Sequence, residues 1–219
     1  MKTNELFTTS DGSHSLLSAV FDVPYHSRHG ALSETQHVFI DAGLKSKQCY
    51  NQVSILEIGF GTGLNAYMSF LEGKSLDLSI YYETIEAYPV EMDIVHNLNF
   101  AEQLNAQKSQ FLKLHELNWN YEHAFERKFT FQKKLTTFQD FTTSHSFDVI
   151  YFDAFAPNAQ PKLWETGFLS KMYTLLNEDG VLVTYCAQGQ FKRNLKAIGF
   201  SIEALPGPIG KREMTRARK

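Results

Sequence analysis

Cysteine is scarce in this chain of 219 residues: Cys49 and Cys186 are the only two, and they lie far apart. Two distant thiols cannot form the disulfide framework that stabilises small secreted domains. Neither has a second Cys or a His at the short spacing that structural zinc sites use. We therefore expect neither a disulfide scaffold nor a metal site.

Long apolar runs are also lacking. No segment approaches the roughly 20 consecutive apolar residues that a membrane-spanning helix needs. Residues 1–18 contain no apolar stretch of the secretory-signal type. The expectation is a cytoplasmic protein without a membrane partner.

A strong net charge is missing as well, because 21 Lys and Arg residues face 24 Asp and Glu residues, for a formal charge of −3. This balance does not indicate a nucleic-acid-binding protein. It does not exclude one either, since a local basic patch is what binds phosphates. Cations cluster near the C-terminal end, where they form either a solvated surface or such a patch: Lys211, Arg212, Arg216, Arg218 and Lys219.

What is present is a regular alternation of strand-like and helix-like segments from residue 53 to residue 205, which predicts a mostly parallel, doubly wound α/β sheet. Predicted strands cover residues 53–58, 78–86, 147–153, 181–185 and 200–204, with strand-like pieces at 128–132 and 135–138. Predicted helices cover residues 34–42, 64–71, 162–177 and 190–198, and two more fall within 89–117. The last strand, 211–217, follows 200–204 without a helix, so we expect an antiparallel C-terminal edge hairpin.

The length suits a single domain across residues 1–219. Residues 51–219 form its predicted Rossmann-like core. Residues 1–50 form a small N-terminal extension, which is either a decoration or a lid over the site.

Three glycines at alternate positions follow the first core strand, in the stretch Glu57-Ile58-Gly59-Phe60-Gly61-Thr62-Gly63. The spacing differs from the dinucleotide pattern G-x-G-x-x-G, because the third glycine comes two residues after the second. An acid just before the loop would repel a pyrophosphate, but not hydroxyls or an amino group. The stretch resembles the S-adenosylmethionine loop of class I methyltransferases; the alternative is a tight strand–helix turn in any α/β domain.

Two further acids follow predicted strands. Glu86 ends the second core strand, where doubly wound folds place an acid that binds ribose hydroxyls; the alternative is a solvated strand end. Asp140 follows the strand-like piece at 135–138, where it either accepts a hydrogen bond from an adenine amino group or caps the next helix.

Asp153 ends a strand that we expect beside the glycine-loop strand, in the turn Asp153-Ala154-Phe155-Ala156-Pro157. Ligands of doubly wound sheets bind beyond the carboxyl ends of the strands, so this acid faces whatever is bound against a cofactor. A carboxylate there accepts a proton from an alkylamine, and Phe155 borders the cation that develops on nitrogen. The alternative is an Asp that caps the turn, with Phe155 in the core.

Four stretches together resemble one family, the tRNA 5-methylaminomethyl-2-thiouridine-forming methyltransferases, which comprise the methyltransferase half of bifunctional MnmC and the stand-alone MnmD. The resemblance implies a Rossmann-like class I methyltransferase fold. The stretches are Tyr25-His26-Ser27 with Gly30 and residues 34–39; residues 57–65; residues 152–157 with Pro161 and Trp164; and Gly210-Lys211-Arg212-Glu213-Met214.

The resemblance also implies a reaction: methyl transfer from S-adenosylmethionine to the aminomethyl nitrogen of 5-aminomethyl-2-thiouridine at the tRNA wobble position, with S-adenosylhomocysteine as the other product. It implies that Asp153 is the catalytic acid, with Phe155 beside it. The cofactor-pocket positions that it implies are Glu57, Gly59, Gly61, Gly63, Asn65, Glu86, Asp140 and Tyr25.

The same resemblance makes the tRNA anticodon loop the expected partner. Lys211, Arg212 and Arg216 are then candidates for contacts with its phosphates. No flavin-binding domain follows the Lys-Arg-Glu-Met segment, so the expectation is methylation without oxidase activity, with a separate enzyme supplying the aminomethyl intermediate. An N-methyltransferase that acts on a small-molecule amine is the alternative, and the acidic net charge supports it.

Overall fold

An eight-stranded sheet forms the centre of the protein, as seen in a computed structural model that describes residues 3–219. Two short strands, β1 (Glu5–Thr8) and β2 (His14–Leu17), pair separately as a hairpin. The strands of the main sheet are β3 (Gln52–Ile58), β4 (Ser79–Glu86), β5 (Glu122–Glu126), β6 (Phe129–Leu135), β7 (Phe147–Phe152), β8 (Leu176–Thr184), β9 (Ser201–Pro206) and β10 (Glu213–Arg218).

The main sheet has the strand order β5-β6-β4-β3-β7-β8-β10-β9. The five central strands β6, β4, β3, β7 and β8 are parallel. The strand β10 runs antiparallel to both β8 and β9, and β5 runs antiparallel to β6. The predicted fold class is thereby confirmed: a Rossmann-like, mostly parallel sheet that ends in an antiparallel hairpin.

Helices cover both faces of the sheet. They are α1 (Ala31–Thr35), which continues as a π-helical turn over Gln36–Asp41, α2 (Leu64–Ser75), α3 (Met92–Val95), α4 (Phe100–Gln103), α5 (Lys108–Glu116), α6 (Thr166–Leu175) and α7 (Gly189–Ile198), with 3₁₀ turns at Leu44–Lys47 and Pro161–Trp164. The segment 89–117 therefore holds three short helices where two were predicted. None of the helices within residues 3–219 combines the length and the apolar character needed to cross a bilayer.

Strand β3 is apolar on both faces, as expected for a buried parallel strand. Val53 and Ile55 pack in one core with α2, while Leu56 and Ile58 pack in a second core with α6 and α7. Because β3 pairs with β4 on one side and β7 on the other, its carboxyl end lies between the ends of those two strands. This arrangement places the glycine loop between Glu86 and Asp153.

Two predicted boundaries were wrong. Of the strand-like pieces predicted at 128–132 and 135–138, the first corresponds to β6, which runs on to Leu135; its partner β5 precedes it, and Lys128 lies in the turn between them with a φ of 74°. Strand β5 is a largely exposed edge strand, so it lacks the apolar pattern that marks buried strands. The helix predicted to reach residue 177 ends at Leu175, and the strand predicted from residue 181 begins at Leu176 as β8, in which Asp179 adopts a φ of 61° and the pairing with β7 shifts register.

Candidate active site

The glycine loop turns sharply through left-handed backbone conformations. Gly59, Gly61 and Gly63 have φ values of 97°, 51° and 74°. Glycine adopts such angles at little cost because it has no Cβ. A Cβ on Gly61 would lie 3.1 Å from the ring of Tyr25, and one on Gly63 would lie 2.5 Å from Nε2 of His115. Neighbouring side chains therefore pack directly against this loop, which leads into α2.

Glu86 holds the loop from the end of the adjacent strand. Its Oε2 accepts a 2.9 Å hydrogen bond from the backbone N–H of Gly61. Its Oε1 accepts from the N–H groups of Ala87, at 2.9 Å, and Tyr88, at 2.8 Å. The carboxylate is buried, which raises its pKa, although these three donors oppose the shift. Each oxygen still has acceptor capacity toward the cavity, which suits ligand hydroxyls.

Glu57 lies deeper than the sequence suggested. Its side chain is fully buried, and both carboxyl oxygens lack a hydrogen-bond partner, as does the hydroxyl of Tyr82 nearby. Burial raises the pKa of this carboxyl well above its usual range. Glu57 thus lies in the layer beneath the loop, where burial disfavours its charged form, and it does not line the cavity.

The turn that carries Asp153 is pinned through its backbone by three side chains. The hydroxyl of Tyr185 donates to the carbonyl of Ala154 at 2.8 Å. The Oε1 of Gln160 accepts from the N–H of Phe155 at 2.9 Å, and the indole N–H of Trp164 donates to the Phe155 carbonyl at 2.9 Å. The turn is thus rigid, and its side chains have fixed directions.

The Asp153 carboxylate is half-buried and faces the cavity. Its Oδ2 accepts a 2.8 Å hydrogen bond from Nδ2 of Asn65, in the first turn of α2. The pKa of Asp153 is raised from 3.8 to about 7, because desolvation and, to a smaller extent, the charge of Glu34 outweigh the lowering by Asn65 and Lys211. A carboxyl that titrates near neutrality can accept a proton and release it again under physiological conditions.

Aromatic side chains from the N-terminal segment cover the space between these groups. The ring of Phe155 lies 4.9 Å from that of Phe21 and 5.1 Å from that of Tyr25, and Phe21 lies 6.0 Å from Tyr88. They enclose a cavity with about 580 Å³ of empty space, part of it open to solvent. Its lining is Ser18, Val20, Phe21, Tyr25, His26, Gly59, Gly61, Thr62, Glu86, Tyr88, Phe138, Asp153, Ala154, Phe155 and Gln160.

The charge of this lining restricts its ligand. Two carboxyl groups, on Glu86 and Asp153, face the cavity, whereas none of its lining residues within 3–219 is a lysine or arginine. Such a site fits a molecule with hydroxyls, a planar ring and positive charge, and it disfavours a pyrophosphate. The sulfonium, ammonium and ribose groups of S-adenosylmethionine match that description. Within the same residues, no three His, Cys, Asp or Glu side chains assemble into a metal-ligand set.

Some predicted site residues lie away from the cavity. Gly63 and Asn65 are buried behind it, and Asn65 contacts Asp153 instead. Asp140 is exposed and hydrogen bonds to Thr137, so the structure does not bring it to the lining. Its neighbour Phe138 occupies that wall.

The predicted cations separate into two groups. Lys211 and Arg212 line an open groove that begins at Pro157, beside the acid-bearing turn. Lys211 also forms a 2.7 Å ion pair with Glu34 and lies 3.9 Å from the centre of the Tyr185 ring. Arg216 instead pairs with Glu203 on the edge strand β9.

Several lining residues were not identified from the sequence. Phe21, Tyr88 and Gln160 belong to no motif, whereas Thr62 lies within the glycine loop but was not singled out as a site residue. The available signals were the position of Thr62 inside the loop and the position of Tyr88 two residues after the strand-end acid Glu86. For Phe21 and Gln160 no such signal exists.

Comparison with known proteins shows the family of this chain. A family model described as S-adenosyl-L-methionine-dependent methyltransferase matches residues 101–219. The chain is 28% identical over 207 residues to the "tRNA 5-methylaminomethyl-2-thiouridine biosynthesis bifunctional protein MnmC" of Leptospira borgpetersenii, which covers 89% of this chain and 32% of that protein. It is 25% identical over 217 residues to the MnmC of Hydrogenovibrio crunogenus, which covers 92% of this chain and 32% of that protein.

The chain thus spans about a third of the length of the curated relatives that it matches. Its fold superposes on the crystal structure of MnmC2 from Aquifex aeolicus with a TM-score of 0.81 and 22% identity, over 99% of this chain and 70% of that one. The chain therefore has the class I methyltransferase fold and belongs to the S-adenosyl-L-methionine-dependent methyltransferase family.

Proposed function

We propose that this protein is an N-methyltransferase that acts on the aminomethyl group of 5-aminomethyl-2-thiouridine at the wobble position of tRNA. The observation that carries the proposal is Asp153: a carboxyl with a pKa of about 7, held by Asn65 and facing the cavity between the glycine loop and the aromatic wall. The names of the relatives supply the substrate.

The acceptor nitrogen needs a free lone pair. A primary alkylammonium has none, so a base must take one proton before nitrogen can attack. In the proposed reaction Asp153 takes that proton. The amine nitrogen then forms a bond to the methyl carbon as the carbon–sulfur bond breaks, and the sulfur keeps the electron pair. S-adenosylmethionine, when bound, supplies the electrophilic methyl group.

The other residues of the site would orient the cofactor and the acceptor amine and shield them from water. Glu86, Gly59 and Gly61 line the cavity, where Glu86 would accept hydrogen bonds from the ribose hydroxyls of the cofactor and the two glycines would allow its close approach to the backbone. Phe155 and Tyr25 present aromatic faces, which attract the positive charge on sulfur and on the acceptor nitrogen. Phe21 and Tyr88, whose rings are in edge contact at 6.0 Å, also line the cavity and would shield bound substrates from water.

The groove beyond Pro157 suits the acceptor RNA. Arg212 is exposed there, and we find no ion pair for it among the described residues. A wobble base must leave its stack to reach Asp153, and its flanking phosphates would then lie over Lys211 and Arg212. Phosphate contacts of this kind make affinity depend on salt.

The direct test uses tRNA whose wobble base carries the aminomethyl group. After incubation with the protein and S-adenosylmethionine, mass spectrometry of the digested nucleosides should show the methylaminomethyl product and none from tRNA that lacks the aminomethyl group. Transfer to small amines with no transfer to this tRNA would contradict the proposal and favour a small-molecule N-methyltransferase. Raising the salt concentration distinguishes a tRNA acceptor from a small amine, because only the affinity for tRNA should fall steeply.

A further inference from the structure

A chain of two hydrogen bonds, the first buried and the second partly buried, connects the N-terminal segment to the candidate base. The hydroxyl of Thr35, at the end of α1, donates to Oδ1 of Asn65 at 2.9 Å. The Nδ2 of Asn65 in turn donates to Oδ2 of Asp153 at 2.8 Å. Thr35 is fully buried, Asn65 is 3% exposed, and Thr35 does not line the cavity.

We propose that Thr35 is a positioning residue: its hydroxyl holds the Asn65 amide with the N–H end toward Asp153. The inference rests on the proposed function, in which Asp153 accepts a proton. It gives the N-terminal segment a role in the chemistry beyond covering the cavity.

The argument starts from the amide itself. An asparagine side chain has a donor end and an acceptor end, and a half-turn about its last bond exchanges them. With the N–H toward Asp153, the carbonyl oxygen is buried on the far side and needs a donor. Thr35 supplies that donor. The same bond polarises the amide, which makes Nδ2 a stronger donor to the carboxylate.

The orientation matters because the two ends of the amide favour opposite states of the acid. An N–H favours the carboxylate, which is the form that can take a proton. A carbonyl oxygen in the same place favours the protonated acid, which cannot. Without the Thr35 hydroxyl, the orientation that points the Asn65 N–H at Asp153 leaves the Asn65 Oδ1 unpaired in a buried site. That orientation is then no longer favoured over the flipped one.

Other groups around Asp153 also shift its pKa, some upward and some downward, so the shift due to Thr35 must be measured while they stay unchanged. Glu34 on α1 raises the pKa of Asp153, and Lys211 lowers it. The groups facing the acid from all packed elements are Glu34 on α1, Glu57 on β3, Tyr82 on β4, Tyr185 after β8 and Lys211 before β10. A Thr35 variant changes none of them.

The test replaces Thr35 with the isosteric valine in the full chain. The carboxyl carbon of Asp153 is followed by carbon-13 NMR as pH is varied, and the midpoint of this titration is compared between variants. Asp153→Asn assigns the signal. Thr35→Val should move the midpoint upward by about one pH unit, as expected for a lost hydrogen bond to a carboxylate. Thr35→Ser should restore the wild-type midpoint. As a matched control, Thr215→Val removes another buried hydroxyl, which donates to the Cys186 carbonyl at 2.7 Å, and should leave the midpoint unchanged.

Methyl transfer gives a second readout. In Thr35→Val, kcat should fall about tenfold near pH 6 and stay within about twofold near pH 9, where both proteins have a deprotonated acid. Affinity for S-adenosylmethionine should not change. If the valine variant does not fold, Thr35→Ala removes the same hydroxyl and should give the same shift.

A wild-type midpoint in a folded Thr35→Val or Thr35→Ala variant would overturn the positioning role. The NMR titration does not depend on turnover, so it stays informative if Asp153→Asn retains activity. That second result would overturn the role of Asp153 as base, and with it the proposed mechanism, without bearing on the hydrogen-bond chain.

Discussion

The Nδ2 of Asn65 lies 2.8 Å from Oδ2 of Asp153, and this bond joins the first turn of the helix after the glycine loop to the acid on the neighbouring strand. This bond therefore couples the loop that would bind the methyl donor to the acid that would activate the acceptor. A substitution in the loop or in α2 should alter the position of the Asp153 carboxyl.

Replacing Asp153 with asparagine should reduce turnover by roughly 10²–10⁴-fold, the usual contribution of a general base. Binding of S-adenosylmethionine should be retained, because the substitution keeps the shape of the side chain. Single-turnover methyl transfer and calorimetric titration of the cofactor measure the two effects. Near-normal turnover would remove Asp153 from the mechanism.

The same variant should alter how stability depends on pH. The pKa of Asp153 rises from 3.8 to about 7 in the folded state, so the folded protein holds a proton that the unfolded chain releases. Stability from this group is therefore present at low pH and is lost as pH rises through about 4 to 7. Asp153→Asn should raise Tm more at about pH 8 than at about pH 5. An equal change at both values would show that the acid is not perturbed.

Glu86 and Glu57 provide a matched comparison, since both are buried acids beside the glycine loop. Glu86 lines the cavity, so Glu86→Gln should weaken binding of S-adenosylmethionine by about tenfold or more, the loss expected for a hydrogen bond to a charged group. Glu57 is buried outside the lining, so Glu57→Gln should leave affinity for S-adenosylmethionine within about threefold. Calorimetric titration of S-adenosylmethionine into both variants measures the two affinities. A larger loss of affinity in Glu57→Gln than in Glu86→Gln would place Glu57 in contact with the cofactor.

Gly61 lines the cavity, and a side chain at this loop position should disturb it. Gly61→Ala places a Cβ 3.1 Å from the Tyr25 ring at a φ of 51°, which L-residues adopt at a cost of about 1–2 kcal/mol. Cofactor affinity should fall at least about tenfold while the far-ultraviolet circular dichroism is unchanged. Gly167→Ala, where a Cβ meets nothing within 4 Å, is the control. Equal affinities in the two variants would mean that the loop is only a turn.

Arg212 tests the RNA-binding groove. Arg212→Ala should weaken binding of tRNA and reduce the slope of log affinity against log salt by about one. Arg127 is the control, because it is exposed in the turn between β5 and β6, at the opposite end of the sheet from Asp153. Filter binding at several salt concentrations compares the two. A larger loss in Arg127→Ala would move the RNA surface to that end.

The fold and the position of the site could be predicted from local patterns. A buried parallel strand must be apolar on both faces, and a sharp turn into a helix requires glycine, so β3 and its loop are visible in the sequence. The alternation of strands and helices then fixes a parallel sheet, and the crevice follows at the carboxyl ends of its strands. That reasoning identified Gly59, Gly61, Glu86 and Asp153.

Tertiary structure alone decided which side chains surround those positions. Phe21 and Gln160 reach the cavity from distant segments, and a chain pattern does not encode such contacts. Glu57 and Asp140 were identified from local patterns, yet neither lines the cavity. Glu57 is buried beneath the glycine loop, and Asp140 is exposed to solvent. The bond from Thr35 to Asn65 spans 30 positions in sequence and arises only because α1 packs beside α2. Local sequence sets backbone conformation, whereas the protonation state of Asp153 depends on desolvation and neighbours that only packing brings together.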